Sequence, residues 1–338
     1  MAGSASGSAV GVALAYFGAG VWALVAKQLV SSFAMAIVLW TTSSWRTSIR
    51  FSYSHVKDLW GFSINVFARN IVSFIYLEID KLLIGRLIGT SQLGFYSNSR
   101  QFTRTLVAIA RHPVETVALP ILSEMQSDRF KIADSICKVQ NMMAVMLLPI
   151  FCGVASLAPE VVEIVFGPGW EFANYPLRYL SFAEAVGACS AVSFTAIMAI
   201  GRPALSLLHF AISAAFAIVS ISIGTQWGIT GVSIATLLNS FIYTGIFIAI
   251  LCKATEITLK QYLLSNFAPA FSSVFMVASV IATTNIIGAE ANIYLRAGAG
   301  ISIGVIIYAT LLRFSSKQSF DTAKNLELKA NTFKTQDQ

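Results

Sequence analysis

The sequence has 338 residues, of which 56% are hydrophobic and only 12% charged, and its mean hydropathy is +0.71. A water-soluble domain carries about twice that charged share, so the composition excludes a soluble globule and predicts an integral membrane protein. A formal net charge of +7 would point to nucleic acid in a soluble chain. Here Lys and Arg stand mainly between apolar runs, where they set orientation and meet anionic lipid, and no nucleic-acid partner is expected.

Apolar runs of about 17–24 residues recur from end to end, each long enough for a helix to cross a hydrocarbon core of about 30 Å. They occupy residues 5–20, 21–40, 59–77, 93–109, 139–157, 177–200, 204–223, 229–251, 262–281 and 295–312, giving about ten spans. Unpaired backbone polar groups are so costly in lipid that helices are the only sensible reading, so the expected fold class is all-α. The first twenty residues, MAGSASGSAVGVALAYFGAG, lack a basic leading segment and read as a membrane helix, not a cleaved signal. Residues 41–58 form a basic, aromatic linker. Residues 111–136 contain Pro113 and Pro120, so the helix before them is expected to run past the membrane and break there. The segment PEVVEIVFGPGWEFANYP, 159–176, is bounded by prolines and predicts a short interfacial helix and a tight loop, with Trp170, Phe172 and Tyr175 at the aromatic belt. Beyond Arg313 the tail is polar, with alternating charge, and is expected to be disordered.

Orientation follows from Lys and Arg in the connections. One alternate set holds Arg46, Arg50 and Lys57, then Arg111, Arg129, Lys131 and Lys138, then Arg202, then Lys253 and Lys260, then the basic tail from Arg313. That side is expected to be cytoplasmic, with both termini on it. The other set holds Lys81, Arg86, Arg178 and Arg296 beside Glu160, Glu163, Glu171 and Glu290. A faint repeat links YFGAGVWALV at 16–25 with QWGITGVSIA at 226–235, each placing an aromatic and two glycines between two spans. The two readings are an internal duplication, common in transporters, and the ordinary likeness of glycine turns.

Charge inside the apolar runs marks candidate function. Arg69 lies near the centre of its span between Asn65 and Asn70; an arginine there needs a polar cavity or a partner. Arg100 and Arg104 are four apart on one helix face, and Arg111 continues the stripe. Such a line suits a polyanionic headgroup, because guanidinium binds phosphate bidentately and stays charged; the competing reading of Arg104 and Arg111 is snorkelling at the interface. Lys27, in the outer half of its span, has the same two readings. Asp80, Lys81 and Arg86 are read either as an ion-paired cap on a turn or as substrate contacts. Gly85 and Gly89 have the spacing of close helix packing. Cys137, Cys152, Cys189 and Cys252 stand singly, without metal-ligand spacing, and read as apolar filler. His55, His112 and His209 fall in different regions, and no hydrolase, nucleotide or metalloprotease motif is present. No catalytic residue, metal or cofactor is expected, and the chain is read as not an enzyme.

The segment IYLEIDKLLIGRLIGTSQLGFYSNSRQF resembles the D-x-LLIGR-x-x-G-x-x-x-LG-x-Y signature of the oligosaccharide flippases of the polysaccharide transporter family, the Wzx or lipopolysaccharide-exporter branch of the MOP superfamily. Further matches come in family order: GVWALV at 20–25, ALPILSEMQSD at 118–128, LAPEVVEIVFGPGW at 157–170 and AIGRPALSLL at 199–208. The resemblance implies a two-lobed, alternating-access transporter in a bacterial inner membrane. It would carry an undecaprenyl-diphosphate-linked oligosaccharide between leaflets for O-antigen, exopolysaccharide or capsule assembly, without covalent chemistry. Its implied partners are the lipid-linked oligosaccharide, anionic lipids, and glycan polymerase and chain-length proteins. Arg69, Arg100, Arg104 and Lys27 are the candidate substrate-binding residues. Family members have about fourteen spans, six per lobe and a final pair. Set against that pattern, residues 1–40 correspond to the last two helices of an N-terminal lobe, 41–58 to a cytoplasmic linker, 59–252 to the C-terminal six-helix lobe, 253–313 to the final pair and 314–338 to a tail. The first four helices are then missing, and a truncated product, a mis-assigned start and a shortened variant are open alternatives. The competing functions are a MATE-like small-molecule antiporter, which needs acidic residues in its cavity, and a membrane glycan polymerase or transferase, which needs a large outer loop with paired polar groups.

Overall fold

The computed structural model describes the backbone of residues 2–43, 53–124, 129–255, 257–288 and 290–334. Twelve α-helices follow one another: α1 (Ala2–Tyr16), α2 (Val21–Thr42), α3 (Tyr53–Leu87), α4 (Thr90–Glu124), α5 (Arg129–Ser156), α6 (Ala158–Val165), α7 (Asn174–Ala188), α8 (Ser193–Ala199), α9 (Pro203–Gly224), α10 (Gly228–Thr255), α11 (Leu259–Ile287) and α12 (Ile293–Lys334). No strand occurs among the described residues. Every apolar run of the sequence lies on these helices, the only spanning form that satisfies its own backbone in lipid when no sheet closes. Six helical stretches of the described residues are long and apolar enough to cross a membrane, and one of them, Ala204–Thr255, is 52 residues long and contains both α9 and α10.

The chain divides into two compact units, residues 1–63 and 64–338. In the first, α1 packs along α2, with Gly11 so close that an added Cβ would lie 2.9 Å from the Cβ of Lys27. The hairpin turns at Gly18 (φ 77°), which follows Phe17, and at Gly20 (φ 52°). Only glycine takes such angles without steric cost. In the second unit the α9–α10 hairpin turns at Gly228 (φ 66°), which follows Trp227. The two segments of the faint repeat therefore share an aromatic followed by a left-handed glycine. Their second glycines differ. Gly231 lies inside α10 against Gly224 of α9, where a Cβ on Gly224 would stand 2.8 Å from the Gly231 carbonyl oxygen.

Among the described residues four apolar clusters hold the second unit together, and three of them join several long helices. Met143, Phe151, Ala185, Met276 and Tyr308 join α5, α7, α11 and α12. Ile136, Ile197, Phe247, Leu251 and Tyr262 join α5, α8, α10 and α11. Ile84, Tyr96, Ala217, Ile221 and Val232 join α3, α4, α9 and α10. Helix α12 closes against α6 and α11: a Cβ on Gly300 would meet Leu157 at 2.9 Å and one on Gly304 would meet Val280 at 3.0 Å. At the same place Arg296 of α12 pairs with Glu160 of α6 at 2.8 Å, and Glu160 is only 2% exposed. The segment 159–176 is a short helix, α6, then a turn through Gly167 and Gly169, both with positive φ, and a single 3-10 turn, Glu171–Ala173.

Four local readings change. Helix α4 runs through Pro113 and Pro120 to Glu124. Each proline removes one backbone donor, which leaves the other amides of this long helix free to pair along it. Helix α12 continues to Lys334 across the tail expected to be disordered. Ala323, Leu326, Glu327, Leu328, Lys329 and Ala330 are strong helix formers, and extending an existing helix carries no nucleation cost. The run 177–200 is divided between α7 and α8. Gly89 takes φ 122° at the end of α3 and so makes a turn, whereas Gly85 packs against Leu93. Of the predicted linker 41–58, residues 44–52 lie outside the described residues.

Candidate functional site

The signature segment folds as a helical hairpin. The amides of Ile88 and Gly89 both donate to the Ile84 carbonyl, which ends α3 and sends the chain back as α4. This brings Asp80 beside residues about two and three turns into α4. The Tyr96 hydroxyl donates to Asp80 Oδ2 at 2.7 Å and also lies 3.3 Å from the Thr236 hydroxyl of α10. Arg100 Nε stands 3.7 Å from the same Asp80 oxygen, and Arg100 Nη1 stands 3.8 Å from Glu184 Oε1 of α7.

Asp80, Arg100, Glu184 and Thr236 line a cavity of about 220 Å³ inside the second unit, with Tyr76, Arg111, Asn239 and Tyr243 among its other walls. The Tyr76 and Tyr243 rings stack at 5.6 Å and 10°. At the α7–α8 break, side chains from four other helices donate to backbone carbonyls, two of which, Val186 O and Ala188 O, also accept the amides of Cys189 and Ala191. Arg111 Nη2 donates to Ala191 O at 2.7 Å, Gln140 Nε2 to Ala188 O at 2.8 Å, Asn266 Nδ2 to Cys189 O at 3.5 Å, and the Thr244 hydroxyl to Val186 O at 3.3 Å. Gln140 Oε1 also accepts from Val192 N at 3.2 Å and from the Tyr262 hydroxyl at 3.0 Å. Irregular backbone at membrane depth is tolerated where it is buried in protein in this way. Ala188, Ser190 and Ala191 of the break are themselves cavity walls.

The sequence-predicted residues separate. Arg100 and Arg111 line the cavity together. Arg104 turns instead to α3, donating from Nη1 to Glu78 Oε1 and from Nη2 to Leu77 O, both at 2.7 Å, while Lys81 pairs with the other oxygen of Glu78 at 2.7 Å. Arg69 sits on α3, and its side chain lies outside the described residues. Lys27 belongs to the first unit, on α2. Asp80, 3% exposed, is a cavity wall and not the cap of a turn. The cavity is not simply basic: two carboxylates, Asp80 and Glu184, stand beside Arg100, as a buried guanidinium requires. Glu184 escaped the sequence reading although the signal was there, a lone carboxylate in the apolar string LSFAEAVGACS. Gln140, Asn239 and Tyr76 carried no comparable signal.

A family model described as "Polysaccharide biosynthesis protein" matches residues 1–174 of the 338. The chain belongs to that family. Among curated relatives, the succinoglycan biosynthesis transport protein ExoT of Rhizobium meliloti is 23% identical over 92% of this chain and 63% of its own length. The probable low-salt glycan biosynthesis flippase Agl15 of Haloferax volcanii is 23% identical over 85% of this chain and 61% of its own length. The lipopolysaccharide biosynthesis protein WzxC of Escherichia coli is 23% identical over 68% of this chain and 47% of its own. The solved structure of the lipid II flippase MurJ in an inward closed conformation aligns with TM-score 0.73 at 15% identity, over 91% of this chain and 65% of that one. The chain thus spans less than two thirds of these relatives. Family, composition and helices agree that it is a multi-pass membrane protein of the Wzx-like kind with a MurJ-like fold.

Proposed function

We propose that this chain carries a lipid-linked oligosaccharide between membrane leaflets. In its finer form the cargo is an undecaprenyl-diphosphate-linked repeat unit crossing a bacterial inner membrane for O-antigen, exopolysaccharide or capsule synthesis. Both termini are cytoplasmic, anionic lipids surround the bundle, and glycan polymerase and chain-length proteins act downstream. On this reading residues 1–40 end one lobe, 41–58 link it to a second lobe at 59–252, and 253–313 form a final helix pair. The relatives' printed roles and the MurJ-like fold support it.

Arg100 is the observation that carries the proposal. Its ion pairs at 3.7 and 3.8 Å are nearly an ångström longer than a charge-assisted hydrogen bond of about 2.8 Å, and its buried Nε has no hydrogen-bond partner among the described residues. A guanidinium held loosely between two carboxylates keeps donors for a phosphate or hydroxyl. Arg104, by contrast, already has both terminal nitrogens engaged at 2.7 Å, so its contribution to cargo binding comes second, with Arg69 and Lys27 as further contacts. The carboxylates Asp80 and Glu184 also favour a second reading, a MATE-like antiporter of small molecules.

The test is complementation of a flippase-null strain by this chain and by a version extended upstream. At least one is expected to restore surface glycan; rescue by neither rejects the flippase reading, and a gain in small-molecule efflux would then select the antiporter. In the rescuing form, Arg100→Ala is expected to lower export about tenfold or more, since a hydrogen bond to a charged group contributes about 1.5–3 kcal/mol. Normal export by that variant at equal membrane abundance would show that Arg100 does not touch the cargo.

A further inference from the structure

Helix α9, PALSLLHFAISAAFAIVSISIG, carries one titratable side chain, His209, which is 0% exposed. Its ring lies flat on Phe247 of α10, with centroids 4.1 Å apart and planes 8° apart, and meets Tyr243 edge-on at 4.2 Å. These contacts satisfy the faces of the imidazole but not its edge. Neither Nδ1 nor Nε2 has a hydrogen-bond partner among the described residues.

The same is true of two nearby groups. Ser213, one turn further along the same face of α9, is 0% exposed with an unpartnered hydroxyl, and Asn239 of α10 is 5% exposed with an unpartnered Oδ1. Asn239 lies one turn before Tyr243, and the hairpin runs α10 back along α9. Since His209 is level with Tyr243, Ser213 comes level with Asn239. The result is a run of unpaired donors and acceptors along one seam, and Asn239 and Tyr243 at its side are walls of the cavity.

Unpaired buried polar groups are costly and correspondingly rare, and where protein does not satisfy them ordered water does. An imidazole, a hydroxyl and an amide oxygen together offer both donors and acceptors, the two to four partners that a bound water needs. An apolar filling of the seam would leave four polar atoms unsatisfied. We propose that the seam between α9 and α10 is a water-binding branch of the cavity, in which bound water bridges Asn239 and Ser213 and ends at His209. The assignment does not depend on the cargo.

The test uses the full chain in lipid bilayers with isotope-labelled histidine, read by solid-state magnetic resonance for polarisation transfer from water to ring nitrogens. Of the three imidazoles, that of His209 is expected to receive water polarisation, identified as the signal that is lost in His209→Phe. A folded protein whose His209 ring receives none overturns the proposal. A second measurement uses the sign of a melting shift. Phe keeps the ring stack and removes both unpaired nitrogens, so in a dry seam His209→Phe melts above the parent, whereas in a hydrated one it melts below because the water loses a partner. A higher midpoint likewise overturns the proposal.

Discussion

Asp80 and Glu78 lie two residues apart, yet they differ in how much their charge is needed. Asp80 and Arg100 have side chains 4% and 13% exposed, whereas Glu78 and Arg104 are 29% and 30% exposed. Removing one partner of a buried pair leaves an uncompensated charge, so Asp80→Asn is expected to destabilise the protein by about 3 kcal/mol or more. Glu78→Gln, in a pair that water still reaches, is expected to cost about 1 kcal/mol or less. Thermal unfolding in detergent compares the two directly; equal losses would mean that burial does not govern this hairpin. At this scale the sequence was half legible. An arginine inside an apolar run announces itself, so Arg100 stood out. Its neutralisation did not, because Glu184 comes from a distant segment and one sequence does not tell which helix faces which. Arg104, on the same face by spacing, is turned aside by Glu78, a carboxylate that was visible in the signature but not weighed.

Among the elements, the break between α7 and α8 was the least legible. Residues 177–200 read as one uninterrupted apolar span with no proline inside it, and nothing local demands a break. What stabilises it lies elsewhere: Arg111, Gln140, Thr244 and Asn266 each donate to a carbonyl of the break. Gln140 is the centre of that arrangement, since its amide also accepts from Val192 and Tyr262 and donates to Asn266 at 2.8 Å. Gln140→Leu, similar in volume but unable to bond, is expected to destabilise by about 3 kcal/mol or more, because several buried groups lose their partner at once. A melting midpoint equal to the parent's would mean that the break persists without its caps. The helices themselves were easily read from their apolar length, as were the proline-bounded α6 and the glycine-containing turns of the two hairpins. The course of α4 through two prolines was not, since the local rule for proline is overridden when a long helix is bonded on both sides.

At the scale of the molecule, fold class and family were legible because they rest on quantities that a single chain displays: apolar length, charge asymmetry and ordered motifs. The balance of charge inside the cavity was not, because it depends on which side chains packing brings together. The Glu160–Arg296 pair adds a matter of timing. Glu160 emerges from the ribosome with α6, long before Arg296 is made, and its final site is one where a lone carboxylate is costly. Until α12 is synthesised, Glu160 must remain near water or hold α6 away from its docked position. Synthesis of α12 is then expected to decide whether α6 can dock with its carboxylate paired. A chain ending before Ile293 is expected to be degraded rapidly in cells, and adding Glu160→Gln to it is expected to slow that loss, as read by pulse-chase. Equal lifetimes of the two shortened forms would show that the missing counter-ion is not what marks the shortened chain for removal.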